Sequence, residues 1–412
     1  MNKNNSVFKS QAQGNLKKRH RVSKIWRNSF FLSTTIGIFS LVILLFSIIN
    51  QAFGYVIVEN KVDPASLSSI PLKSLEREEL ISILQENLSK NRFKTIQRDN
   101  PVEELKRSEL VGLVTSEIIK PTTLKSYFLI PSLTNKAEII RTQQDEFPNA
   151  VVQFRSWISL SFLSDPLSTN PDTTGIRTAL IGSLWIIVVT VIIAFPIGIG
   201  AAIYLEEYSS NNWLSRIIKT NIDNLAGIPS IVYGLLGLAI FVRGLNLITS
   251  GAFIGIDQSN GRTILSAALT MSLLILPLII INAQEAIRAV PSSLRQASYG
   301  LGATRLQTIW YHVLPAAMPG ILTGTILAVS RAIGETAPLI LVGASSFINK
   351  DPSGLFSNFT VLPIQIYNWT TRPQAEFRNV AAASILVLLI VLLTLNTAAI
   401  LLRNHFSKNK AA

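Results

Sequence analysis

EAIRAVPSSLRQASYGLGATRLQTIWYHVLPAAMPGIL, residues 285–322, is the stretch whose reading decides how this chain is built. It is too amphipathic to cross a membrane and too regular to be a linker. Arg295 through Tyr299 reads as a short helix, and Gly300 and Gly302 permit a sharp turn. Ala303 through Tyr311 then resumes a helix that Pro315 is expected to terminate or redirect. A helix followed by a glycine turn presents a compact knob whose two ends feed apolar blocks. Those blocks are 263–284 before it and 306–330 after it, both free of charged residues, the second ending at Arg331.

Working outward, the same blocks recur. Residues 28–58 carry no charge between Arg27 and Glu59, and 178–205, 224–242 and 379–402 are equally charge-free. A membrane-spanning helix needs about 20 mainly apolar residues, so six spans are expected, near 30–53, 178–204, 223–243, 264–284, 316–341 and 379–402. The mean hydropathy of +0.39 averages these blocks with polar segments. The expected fold is an all-α polytopic membrane protein with six transmembrane helices and a large extracytoplasmic first loop. It divides into a basic tail (1–28), a first transmembrane anchor (29–58), a partly helical extracytoplasmic loop (59–172), a core of five transmembrane helices (173–402) that holds the knob at 285–315, and a second tail (403–412).

The net charge of +13 suggests nucleic acid until its placement is read. Residues 1–28 hold eight Lys and Arg and no acid, directly before the first span. That is the positive-inside pattern, with anionic lipid as a natural companion, and no nucleic acid is expected. With the N-terminus inside, the inside segments 1–28, 205–222, 285–315 and 403–412 carry sixteen Lys and Arg, against four in the two short outside loops. Both termini are therefore expected on the cytoplasmic side of an inner or plasma membrane. The first apolar block is too long for a cleavable signal peptide and lacks a small-residue cleavage site, so it is read as a lasting anchor. The absence of Cys removes disulfides and thiolate chemistry, and His20, His312 and His405 are too scattered for a metal cluster.

Several spans contain helix breakers: Pro196 in the second, Pro229, Gly234 and Gly237 in the third, Pro277 in the fourth, Pro338 in the fifth. Such residues persist where neighbours or a water-lined path satisfy the freed backbone. Gly320 and Gly324, extended by Ala328, make a small-xxx-small stripe suited to a close helix crossing. Pro229, Gly234, Gly320 and Gly324 are accordingly candidate gate or packing positions. Asp223 is placed near the N-terminus of the third span, where the helix dipole accommodates its charge. In the first loop, 74–90 reads as an amphipathic helix with Leu80, Leu84 and Leu88 on one stripe, and a second helix is expected to start at Asn100, with Pro101 and Glu103 completing its cap, and to end at Pro121. This loop either shields the mouth or docks a partner.

Arg331 and Glu335 are the most informative residues within the spans. At 1.5 Å per residue, Arg331 lies about 22 Å along a fifth span that starts near Ala316. Ionisable groups at that depth are costly and face protein or water, and the i,i+4 spacing puts the two on one helix face. Three readings stay open: an ion pair that fixes helix packing, a substrate path in which Arg331 attracts an oxyanion and Glu335 restrains the arginine, or an arginine that snorkels to the lipid headgroups.

The 296–315 segment resembles the signature of ABC importer permeases: an EAA triplet, three residues, Gly, nine residues, Ile, one residue, Leu-Pro. Gln296, Ala297 and Ser298 hold the triplet positions, Gly302 the glycine, His312 the Ile position, and Leu314 and Pro315 the end. GIRTALIGSLW (175–185), NLAGIPSIVYGLLGLAIF (224–241) and LPAAMPGILTGTILAVSRAIGETAPLILVGA (314–344) are similar to the A-type permease subunit of phosphate ABC importers. The resemblance implies that Gln296, Ala297, Ser298, Gly302, Leu314 and Pro315 couple the chain to ATPase subunits. It also implies a second permease subunit, two cytoplasmic ATP-binding subunits, an extracytoplasmic phosphate-binding protein, and a transport path near the RAIGET segment. No GxxxxGK[ST] phosphate loop occurs, so ATP is expected to be used by a partner, with no cofactor bound here, no metal, and no catalytic residue. Alternatives are a permease for another oxyanion, a membrane-anchored sensor or scaffold, and a secondary transporter that needs no ATPase.

Overall fold

The computed structural model describes the whole chain except residues 1–2, 69, 100–101, 103–104, 106, 210–211, 257–259, 345–347, 349 and 409–412. Among the described residues, five helices are long and apolar enough to cross a membrane: Arg19–Ala52, Arg177–Tyr208, Ile264–Arg288, Arg305–Gly334 and Glu376–Asn404. A bent pair, Trp213–Ala226 and Ser230–Gly244, makes a sixth span if counted as one. The membrane part is thus all helical and multi-pass, as the charge-free blocks require.

The fourth span, Ile264–Arg288, is the axis of the bundle, with 67% of its apolar window buried. Small residues let its neighbours approach. Gly198 of the second span faces Ile279, Gly237 of the third faces Thr270, and Gly320 and Gly324 of the fifth face Ala286 and Asn282, at distances that leave no room for a side chain. Buried hydroxyls add cross-links: Thr190 donates to the Ala268 carbonyl and Ser272 to that of Thr190, both at 3.3 Å. The first and sixth spans are peripheral, with 0% and 6% of their windows buried.

Two spans depart from the sequence expectation. The third is not a straight helix over 223–243: the chain turns by 105° between Ala226 and Ser230. Proline has no N–H to continue the ladder and pushes the residue before it out of the helical region, and Pro229 itself is extended, with φ −55° and ψ 135°. Asp223 consequently lies in the last turn of the Trp213–Ala226 helix rather than at a helix N-terminus. That helix is two-sided. Trp213, Leu214, Ile217 and Leu225 are exposed on one flank, Arg216, Lys219 and Asp223 on the other, and Ile218 and Ile222 lean on the bundle. Such a helix suits the boundary between lipid and water.

The fifth span also differs. Pro315 neither ends nor redirects it, because the helix runs through from Arg305 to Gly334. A π turn over Ile309–Val313 absorbs the proline: the Leu314 N–H reaches the Ile309 carbonyl, five residues back. The far end is shorter than expected. The helix stops at Gly334, Glu335 is extended (φ −74°, ψ 127°), and a separate helix covers Ala337–Val342. Gly320 faces Ala286 and Gly324 faces Asn282. Carrying that antiparallel register forward brings the break level with Met271, about 10 Å into the fourth span. The fifth span is therefore interrupted within the bundle.

Residues 59–172 are not purely helical either. β1 (Phe53–Asn60) follows the first span without a linker and is the centre of an antiparallel sheet in the order β2–β1–β3, with β2 at Pro121–Ser126 and β3 at Val151–Ser156. Residues 53–58, which hydropathy groups with the anchor, are strand. A helix at Arg77–Asn87 buries Leu80 and Leu84, with Leu88 at its C-cap. The second helix is described from Arg107 to Val114 and closes in a π turn at Ile119, before Pro121 opens β2; the cap expected at Asn100–Glu103 lies outside the described residues. The sheet is tied to the sixth span, where Asn379 accepts from the Ser126 hydroxyl of β2 at 3.3 Å and donates to the Gln51 carbonyl at the end of the first span at 2.8 Å. Asp172, 3% exposed beside the sheet, accepts from the Thr123 N–H at 2.9 Å, from the Thr123 hydroxyl and from Arg155. Asp172→Ala leaves the guanidinium unpaired and is expected to cost about 3–5 kcal/mol. Limited proteolysis should then cut within 59–172 while the spans stay intact; unchanged resistance would contradict this.

Candidate functional site

The helix of the 285–315 segment is longer than the sequence suggests, covering Ser292–Gly300. It starts after Pro291, and Gly300 is part of it. Of the two glycines at the turn, Gly302 alone takes a positive φ, +84°. Its N–H bonds the Tyr299 carbonyl, and the Ala303 N–H bonds that of Ser298. Thr304 then caps the next helix, exchanging bonds with Gln307. A buried Ser298–Thr308 hydroxyl pair at 2.8 Å holds the two helices together across the turn. Nothing lies within 4 Å of a Cβ built at Gly302, so Gly302→Ala isolates the backbone cost of the left-handed conformation. A loss of about 1–2 kcal/mol is expected, read as a lower midpoint of thermal unfolding; an unchanged midpoint would refute it.

Of the residues singled out by the signature, Gln296 and Ala297 are exposed, Ser298 is buried, Gly302 forms the turn, and Leu314 and Pro315 are half-buried in the fifth span, just after its π turn. Apolar groups surround the exposed positions: Leu301 is 90% exposed, and Leu306, Trp310 and Tyr311 are also largely uncovered. A monomeric surface rarely leaves such a cluster open without a partner for it.

Sequence reasoning missed what supports this knob from beneath. The second span ends in a π turn, Tyr204–Tyr208, that carries Glu206 and Glu207. Glu207 accepts two bonds from Arg295, at 3.0 and 2.7 Å, while Arg295 also donates to the carbonyls of Val290 (2.7 Å) and Ile287 (3.0 Å). Glu206 pairs bidentately with Arg288, both bonds at 2.9 Å, and Arg288 also reaches Glu285 at 2.9 Å. Glu206, Glu207, Arg288 and Arg295 line a cleft of about 590 Å³. The available sequence signal was two adjacent acids closing the 178–205 block; their partners lie more than 80 residues away.

The break in the fifth span holds the second group of candidates. Arg331 Nε lies 3.4 Å from Glu335 Oε1, with the arginine side chain 46% exposed and the glutamate 17%. The two do not share a helix face as expected, because Glu335 is already beyond the helix. Ser330 next to them donates to Asn396 of the sixth span at 2.6 Å. Gly234 is brought here as well: a Cβ on it would meet Pro338 Cα at 2.6 Å, and Pro229 opens the helix that carries it. Gly320 and Gly324 lie apart, packed on the fourth span. No group of three or more His, Cys, Asp or Glu able to hold a metal occurs among the described residues.

The chain is thus a multi-pass helical membrane protein with an interrupted span, an arginine at the interruption and an uncovered knob at one end. Residues 194–411 match the family described as the binding-protein-dependent transport system inner membrane component. Phosphate transport system permease protein PstA 1 of Mycobacterium tuberculosis (strain ATCC 25618 / H37Rv) is 41% identical over 231 residues, 56% of this chain and 70% of that protein. The probable ABC transporter permease protein YqgI of Bacillus subtilis (strain 168) is 32% identical over 267 residues, 61% of this chain and 86% of that protein. A Yersinia pestis protein, phosphate transport system permease protein PstA, is 33% identical over 256 residues, 61% of this chain and 80% of that protein. The chain belongs to the binding-protein-dependent transport system inner membrane component family. It is an ABC-importer permease, and the ATPase of such a transporter is another chain. The family match leaves the sheet domain outside it.

Proposed function

We propose that this chain is one of two membrane-spanning subunits of an ATP-driven phosphate importer in the inner membrane, with both termini cytoplasmic. The observation that carries the reading is the 41% identity to a protein named as a phosphate transport system permease. In this account a second permease subunit covers the open side of the fifth span, two ATP-binding subunits dock on the cytoplasmic knob, and an extracytoplasmic phosphate-binding protein delivers the anion. Gln296 and Ala297, exposed on the Ser292–Gly300 helix, face the ATPase, while Ser298, Gly302, Leu314 and Pro315 hold that helix on the fifth span. ATP binding and hydrolysis in the partners shift the bundle between two packings. Arg331, at a break where the backbone also leaves the helix, offers a guanidinium fork to phosphate oxygens. Glu335 competes for the same guanidinium, which keeps the anion from binding too tightly to leave. Pro229 and Gly234 let the third span follow the short helix after the break, whereas Gly320 and Gly324 keep the fourth and fifth spans in contact. The test is uptake of labelled phosphate by proteoliposomes holding this chain with its permease, ATPase and binding-protein partners. Uptake is expected only with ATP and only when this chain is present; uptake driven by an ion gradient without the ATPase would overturn the proposal.

A further inference from the structure

Residues 285–315 contain three arginines, and all three contact the single turn that ends the second span. Arg288, at the end of the fourth span, pairs with Glu206 at 2.9 Å. Arg295, on the exposed Ser292–Gly300 helix, pairs with Glu207 at 2.7 Å. Arg305, at the start of the fifth span, lies over the Tyr208 ring at 5.6 Å. Three pieces of chain separated by Pro291 and Gly302 thus meet one acidic and aromatic hub, Glu206–Glu207–Tyr208.

The Glu207–Arg295 pair is the closed part of this clasp. Its side chains are only 7% and 18% exposed, and Arg295 spends its remaining donors on the carbonyls of Ile287 and Val290. The Ile287 carbonyl lies in the last turn of the fourth span, where it also accepts from the Val290 N–H at 3.2 Å, and the Val290 carbonyl lies just beyond that helix. One guanidinium therefore joins the second span, the fourth span and the exposed helix. Without it, the link through Ala289–Pro291 is a single strand of backbone that leaves the helix at Pro291 (φ −57°, ψ 137°). A push on the exposed helix would then pass to the fifth span through the Ser298–Thr308 pair but reach the fourth only through that link. With the clasp closed, the same push also moves the second and fourth spans.

We propose that Glu207 and Arg295 are positioning residues that make this joint rigid, so that displacement of the Ser292–Gly300 helix is passed into the second and fourth spans. This rests on the reading that an ATPase drives the chain through that helix. Both side chains are spent on this joint, Arg295 on Glu207 and the Ile287 and Val290 carbonyls, so their loss should change the yield of transport per ATP rather than ATP hydrolysis itself.

The test uses the complete reconstituted complex and reads ATP hydrolysed per phosphate taken up. Glu207→Ala and Arg295→Ala are each expected to raise that ratio at least about fivefold, the lower end of typical coupling between sites, with hydrolysis retained. The double variant should be no worse than either single one, because one broken clasp is already open. Glu207→Gln, which keeps the shape and an acceptor oxygen, covers the case in which the alanine variants fail to assemble, and should raise the ratio by a smaller factor. A wild-type ratio in assembled Glu207→Gln and Glu207→Ala complexes overturns the proposal. So does a parallel fall of hydrolysis and uptake, or single effects that multiply in the double variant. Failure of the unaltered complex to take up phosphate with ATP would instead overturn the importer reading.

Discussion

Alanine at Arg331 is expected to slow phosphate uptake by the assembled complex about ten- to hundredfold, the equivalent of one hydrogen bond to a charged group at about 1.5–3 kcal/mol. The guanidinium is half exposed at the break in the fifth span and is held by a single 3.4 Å contact to Glu335. An arginine whose purpose was packing would be expected to be more enclosed and to make more than this one long bond. Arg331→Lys keeps the charge and loses the planar fork, so its uptake should lie between alanine and wild type. Glu335→Gln frees the arginine from its competitor. Phosphate should then bind more tightly and leave more slowly, lowering both the half-saturating concentration and the maximal rate. Initial-rate uptake at varied phosphate checks all three. Wild-type rates for an assembled Arg331→Ala complex would assign the residue to helix packing alone.

Leucine at Gly324 should have a larger effect on the protein and a less selective one. A Cβ there would lie 2.2 Å from Asn282 Cβ and 2.8 Å from its Cγ. The Asn282 amide is itself committed to the Leu278 carbonyl at 2.7 Å, so the neighbour cannot swing away without losing a bond. The fourth and fifth spans must separate, at a cost of about 1–3 kcal/mol or more for overpacking, multiplied along the shared stripe at Gly320 and Ala328. We expect little complex to be recovered from the membrane and a clear fall in its thermal midpoint. Gly300→Ala is the matched control: it lies in a helix with nothing within 4 Å of the added carbon, and a gain of about 0.5–1 kcal/mol is expected. Equal recovery of both variants would mean that the crossing at Gly324 does not hold the bundle.

What could be read from the sequence follows from the range over which each signal acts. Spans are local, because about 20 charge-free residues are enough to define one, and the blocks at 178–205, 263–284 and 379–402 needed no partner to be recognised. The glycine stripe at Gly320 and Gly324 was equally legible as a crossing, though not the residues it would meet. Pro229 marked a break without revealing that the chain turns through 105° there. Pro315 misled, since the rule that proline ends a helix omits the π turn that accommodates it. β1 was hidden inside an apolar block, since an apolar run is read as span or strand only by what it pairs with. Its partners, Pro121–Ser126 and Val151–Ser156, are far along the chain. The clasp was hidden for the same reason. Glu206 and Glu207 look like a solvated helix end until the fold brings Arg288 and Arg295 to them.

The central claim is that phosphate is the transported anion, and competition measures it most directly. Proteoliposomes holding the complete complex should take up labelled phosphate with ATP, lose that uptake to excess unlabelled phosphate, and keep it in equal sulfate or molybdate. Inhibition by sulfate or molybdate as strong as that by phosphate, or ATP-driven uptake of one of those anions in its place, would contradict the account while leaving an importer permease standing.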